Sequence, residues 1–110
     1  MTENKNGILE RLFAVIEKRR GADAKDSYTA SLLAKEPDEV ARKMGEEAVE
    51  TMIAAVRETK ADAVRESADL LYHLAVLWAR LGVTPAEVAD ELARRESQSG
   101  HAEKRARKET

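Results

Sequence analysis

The sequence predicts an all-α fold, a four-helix bundle, and three observations carry that prediction. The chain is rich in Ala, Leu, Glu, Lys and Arg, which favour helix, while Val and Ile are scattered rather than alternating as in strands. Apolar residues recur at three- and four-residue spacing through long segments. The only prolines, Pro37 and Pro85, stand where helices would begin.

The first helix is expected over 8–20. Ile8, Leu9, Leu12, Phe13, Val15 and Ile16 give it one apolar face, and Gly21 ends it. The polar loop GADAKDS follows, and Asp26 or Ser27 can cap a short helix in SYTASLLAK. The second long helix is expected over 38–58. Its core stripe reads Val40, Met44, Ala48, Val49, Met52, Ile53 and Val56. The third, over 61–81, is apolar nearly all round after Ser67, as a central, buried helix would be. The fourth, over 85–95, has Thr84 as N-cap and Pro85 at its first position. Helices of this kind with short connections form an all-α bundle.

A length of 110 residues is read as one domain, 1–110. Residues 1–7 are polar and expected to be flexible, and 97–110 form a polar, locally basic C-terminal tail. Alanine supplies much of the hydrophobic share and four residues are aromatic, so the core is small and self-association is expected. A net charge of −2 gives no general argument for nucleic acid. Without cysteine there is no disulfide or thiolate metal site. Nothing resembles a signal peptide or a membrane span, so a soluble cytoplasmic protein with no membrane partner is expected.

The chemistry is concentrated in KMGEEAVETMIAA. Glu46, Glu47 and Glu50 crowd three carboxylates into about one turn, where like charges at i,i+3 and i,i+4 repel by roughly 0.2–0.5 kcal/mol per pair. At roughly 100° per residue, Lys43, Glu46, Glu47 and Glu50 share one edge of the helix. On the next helix Glu66 and Asp69 share a face, with Asp62 and His73 near the same line. Consecutive helices with a short link pack antiparallel, which can bring the two acidic faces around one space. In isolation GEEAVE reads as a solvated acidic face, and Glu66 and Asp69 as partners of Arg65, Arg80 or Lys60. Together they read as a nest that needs a counter-charge. Hard oxygen ligands without Cys or paired His select Mg²⁺ or Mn²⁺, a device for phosphate chemistry. A di-iron carboxylate site would need Glu-x-x-His on two helices, and no second helix supplies a histidine.

The pattern Glu46-Glu47-x-x-Glu50 followed by Glu66-x-x-Asp69 resembles the MazG-like all-α nucleotide pyrophosphohydrolases. SYTASLLAK, KMGEEAVETMIAA, ESADLLYHLAVLW and SGHAEKRARK narrow the resemblance to the phosphoribosyl-ATP pyrophosphohydrolase family, from about Ile8 to Lys108. That resemblance implies hydrolysis of phosphoribosyl-ATP to phosphoribosyl-AMP and pyrophosphate, the second step of histidine biosynthesis. It also implies Mg²⁺ dependence and a homodimer of interlocked helical bundles. It assigns metal ligation to Glu47, Glu50, Glu66 and Asp69, and catalytic roles to Glu46, Glu47 and Glu50. Glu46 would be a further ligand or the group that orients or deprotonates the attacking water.

The substrate is a polyanion, so cations should surround the carboxylates. Lys43 lies on their own face, Arg19 and Lys35 flank the SYTA segment, and Lys104 and Arg107 load the tail. Ser27 and Tyr28 either cap a helix or line the substrate pocket. His73 is either a satisfied core or edge histidine or a further substrate-binding residue. Tyr72 and Trp78 read as core or dimer-interface residues. Two other functions compete: a house-cleaning nucleoside triphosphate pyrophosphohydrolase on the same scaffold, and a non-catalytic helical interaction module. The second leaves Glu66 and Asp69 on an apolar helix unexplained.

Overall fold

A computed structural model describes residues 7–25 and 27–96. Among the described residues every regular element is a helix: α1 (Ile8–Lys18), α2 (Tyr28–Leu33), α3 (Pro37–Arg57), α4 (Lys60–Leu81) and α5 (Pro85–Glu96). The all-α expectation holds, with the short SYTA helix counted as an element of its own. No helix of the described residues is long and apolar enough to cross a membrane.

Local chemistry explains the boundaries. The Ser27 hydroxyl accepts from the Ala30 amide at 3.1 Å and starts α2. Pro37 opens α3, with Asp38 and Glu39 in the first turn where the helix dipole favours negative charge. A capping box opens α4: the Thr59 hydroxyl accepts from the Asp62 amide and the Asp62 carboxylate accepts from the Thr59 amide. Asp62 also pairs with Arg65. Its carboxylate therefore belongs to the helix start and not to the acidic face that helical spacing assigns it. At the other end of α4, Gly82 takes the left-handed conformation, φ 76°, and the Val83 amide donates back to the Trp78 carbonyl at 2.9 Å. The same box recurs at α5, where Thr84 and Glu87 each accept from the other's backbone amide.

Helix α4 is central. It packs against α1, α2 and most extensively α3, with which it forms an antiparallel hairpin across Glu58 and Thr59; α5 lies on α1. The core is Ile16, Leu32, Val40, Ala75, Val76 and Ala79, flanked by Leu12, Phe13, Leu33, Tyr72, Leu77 and Trp78. Arg20 ties the end of α1 to α4: its guanidinium donates to the Ala79 carbonyl at 2.6 Å and is steadied by Glu17.

One packing expectation fails within the single chain. Of the α3 stripe only Val40 is buried. Val49 and Ile53 stay exposed, as do Met52 at 61% and Val56 at 82%. The reason is geometric: among the described residues, the C-terminal half of α3 has α4 along one flank and no other helix packed closely against it.

Candidate metal and active site

The α3–α4 hairpin brings the two acidic faces together. One carboxylate oxygen each from Glu47, Glu66 and Asp69 lie within 4.8 Å of one another. Glu47 is presented by α3, Glu66 and Asp69 by successive turns of α4. The helices are pinned at this level by the Thr51 hydroxyl, which donates to the Glu66 carbonyl at 3.0 Å. Sequence reasoning misses Thr51. The available signal is its place one turn after Glu47 on the acidic edge.

Two features make the cluster unusual for a surface. Glu47 Oε2 and Glu66 Oε2 are both enclosed and have no hydrogen-bond partner. The Glu66 carboxyl holds its proton more tightly than an ordinary glutamate, first because of desolvation, then because of the charges of Glu50, Glu47 and Asp69. Three candidate counter-charges are engaged elsewhere. Arg65 pairs with Asp62, Lys43 with Glu46 at 3.6 Å, and Arg80 Nε donates to the Lys35 carbonyl at 3.2 Å. Among the described residues no ion pair is formed by Glu47, Glu66 or Asp69. Orphaned oxygens in a hard, all-carboxylate donor set fit a divalent cation of the Mg²⁺ or Mn²⁺ type.

The other acidic candidates fall beside the trio. Glu50 faces a cavity of about 180 Å³ that it lines with Ile53, Glu58 and Glu66. It is close enough to raise the Glu66 proton affinity but lies outside the three-oxygen group. Glu46 is exposed and turned to Lys43. Adjacent helical positions diverge by roughly 100°, so Glu46 and Glu47 cannot both face α4. Glu58, at the end of α3, joins the cavity rim, a place that the acidic motif does not foretell.

The candidate substrate contacts separate in the same way. Arg19 is exposed, and the neighbouring Arg20 does the structural work. Ser27 acts as the helix cap. Lys35 is half-buried, with its carbonyl held by Arg80. Tyr28 remains 55% exposed, yet its hydroxyl lies 3.2 Å from His73 Nε2. His73 is buried, at 7%, and its Nδ1 lies 2.9 Å from the Asp69 carbonyl. A carbonyl only accepts, so Nδ1 carries the hydrogen, and in the neutral ring Nε2 accepts from Tyr28. Of the two readings of His73, the geometry is that of the satisfied interior histidine. Tyr72 flanks the core, stacked on Tyr28 and bonded to the Thr29 hydroxyl at 2.6 Å. Lys104 and Arg107 lie outside the described residues.

Comparison with known proteins bears on this arrangement. The family model for phosphoribosyl-ATP pyrophosphohydrolase matches residues 9–96. The phosphoribosyl-ATP pyrophosphatase of Azospirillum brasilense is 56% identical over 101 residues, covering 92% of this chain and 91% of the relative. That of Paramagnetospirillum magneticum is 56% identical over 100 residues, 91% of this chain and 92% of its own length. That of Parvibaculum lavamentivorans is 58% identical over 101 residues, 92% and 93% of the two chains. The matched span runs from α1 to the end of α5 and includes every residue of the carboxylate trio, and the chain belongs to the phosphoribosyl-ATP pyrophosphohydrolase family.

Proposed function

We propose that this chain hydrolyses phosphoribosyl-ATP to phosphoribosyl-AMP and pyrophosphate, a step of histidine biosynthesis, in a cation-dependent reaction. The observation that carries the reading is the meeting of Glu47, Glu66 and Asp69, with two enclosed oxygens lacking partners, inside a span that matches the family.

Glu47, Glu66 and Asp69 would hold Mg²⁺ or Mn²⁺. Such a cation, when bound, neutralises phosphate oxygens and makes water a better nucleophile. The protein's own groups do the rest. Desolvation and the neighbouring carboxylates raise the proton affinity of Glu66, so proton and cation would compete for it. Glu50 shares the cavity with Glu66 and is proposed to accept the proton of the attacking water, while Glu46 pairs with Lys43. Water adds to the α-phosphorus, the bond to the bridging oxygen breaks, and pyrophosphate leaves. Lys43, at the edge of the acidic face, is proposed to meet the leaving phosphates by exchanging its half-exposed pairing with Glu46. The uncovered row Val49, Met52, Ile53 and Val56 supports a homodimer in which a second copy buries it. A cytoplasmic location is part of the proposal.

The test is pyrophosphate release from phosphoribosyl-ATP, with Mg²⁺ and with a chelator, beside a panel of dNTPs. Release from phosphoribosyl-ATP that the chelator abolishes is expected. Faster turnover of a dNTP would overturn the substrate, and turnover undiminished by the chelator would overturn the cation.

A further inference from the structure

Tyr28 combines two properties that rarely go together. It is more than half exposed, yet it is held at three points. Its ring is stacked on Tyr72, with centroids 6.3 Å apart and planes at 21°. Its hydroxyl is bonded to His73 Nε2. Its backbone begins a helix capped by Ser27. A tyrosine that served only packing would be buried, and one that served only solubility would be untethered.

The tether leads to the candidate metal site. His73 has both ring nitrogens committed, one to Tyr28 and one to the carbonyl of Asp69. It also meets Tyr72 edge to face, centroids 5.1 Å apart, which fixes the ring plane. A buried imidazole thus joins α2 rigidly to the turn of α4 that presents Asp69. With one face on Tyr72 and the hydroxyl edge on His73, the phenol ring of Tyr28 turns its outer face to solvent.

We propose that this outer face of Tyr28 is the platform on which a base of the nucleotide substrate stacks, and that His73 is the positioning residue that fixes it relative to Asp69. The inference rests on the function proposed above and adds where the base is read. An aromatic ring immobilised before binding loses little freedom on stacking, so the stack is expressed fully in affinity. The base lies remote from the bond that breaks, so its contact acts on binding more than on turnover.

Steady-state pyrophosphate release from phosphoribosyl-ATP with Mg²⁺ tests this on Tyr28→Leu, Tyr28→Phe and His73→Phe, each checked for fold and assembly state by circular dichroism and light scattering. Tyr28→Leu should raise KM by about tenfold to a hundredfold, as loss of one base–aromatic stack gives, with kcat within about twofold. Tyr28→Phe keeps the ring and loses the tether, so it should raise KM by a smaller factor. Adding His73→Phe to Tyr28→Phe should then raise KM little further, because the bond is already gone. Unchanged KM in a folded Tyr28→Leu protein would overturn the proposal. So would a KM change that appears only together with loss of assembly, which would make Tyr28 a subunit contact. Failure of the wild type to release pyrophosphate would instead overturn the proposed function on which it rests.

Discussion

Asp69→Asn separates a metal-binding carboxylate from a structural one. The change keeps the side-chain shape and leaves the backbone carbonyl that His73 uses untouched. It removes one of three charges whose oxygens lie within 4.8 Å. Two unit charges at that distance repel by about 0.9 kcal/mol in water, which sets the scale of the relief from the Glu47–Asp69 pair. For a domain of this size that corresponds to a rise in Tm of about 4–7 °C in chelator at low salt. Mg²⁺ should reverse the order. A cation at a hundred times its Kd stabilises the wild type by about 2.7 kcal/mol through mass action, and the variant, one ligand short, gains less. Melting both proteins at one fixed concentration, first with chelator and then with millimolar Mg²⁺, reads both signs, and turnover should fall by orders of magnitude. A variant that melts below the wild type in chelator and retains its activity would show Asp69 to be a structural residue and sink the metal assignment.

Three further outcomes follow from local geometry. Thr59→Ala removes the side-chain half of the α4 capping box and should cost about 1 kcal/mol in chemical denaturation, with a denaturant slope unchanged from wild type. Leu32→Ala empties a fully buried site that anchors α2 to the core and should cost about 2–5 kcal/mol; a loss under about 1 kcal/mol would mean that α2 is only loosely docked. Glu66 has a raised proton affinity in the folded state, so its contribution favours folding below the ordinary glutamate value of 4.5 and is lost as pH rises through the raised value. Metal-free Glu66→Gln should therefore be more stable than wild type at neutral pH and lose that advantage on acidification; a difference constant across pH would contradict this.

The helices are legible in the sequence because their punctuation is local. Pro37, Pro85, Thr84 and the glycines at 21 and 82 act within one turn of themselves. The site is legible in part, because Glu66 and Asp69 sit on a greasy helix where an uncompensated charge is costly. What the letters do not carry is rotation. Glu46 and Glu47 are equivalent as letters, and only the packing of α3 on α4 decides which of them turns inward. Arg19 and Arg20 present the same ambiguity, resolved by which one reaches Ala79. Asp62 lines up with the site acids because helical spacing is blind to capping. The α3 stripe is a surface that seeks cover, but periodicity does not state whether the cover comes from the same chain.

The hairpin of α3 and α4 has a consequence for the order in which this protein is made. Glu47, Glu66 and Asp69 lie on consecutive helices with only Glu58 and Thr59 between them. The loop that must close is short, so its entropic cost is small and its closure is fast compared with contacts between distant segments. The carboxylates therefore meet when the hairpin shuts, before α1 and α5 need to dock. A cation captured then would act as a clip on a nascent hairpin. The stabilisation it brought would be expressed in partly folded chains as well as in the finished bundle, and divalent cation should speed refolding as well as slow unfolding.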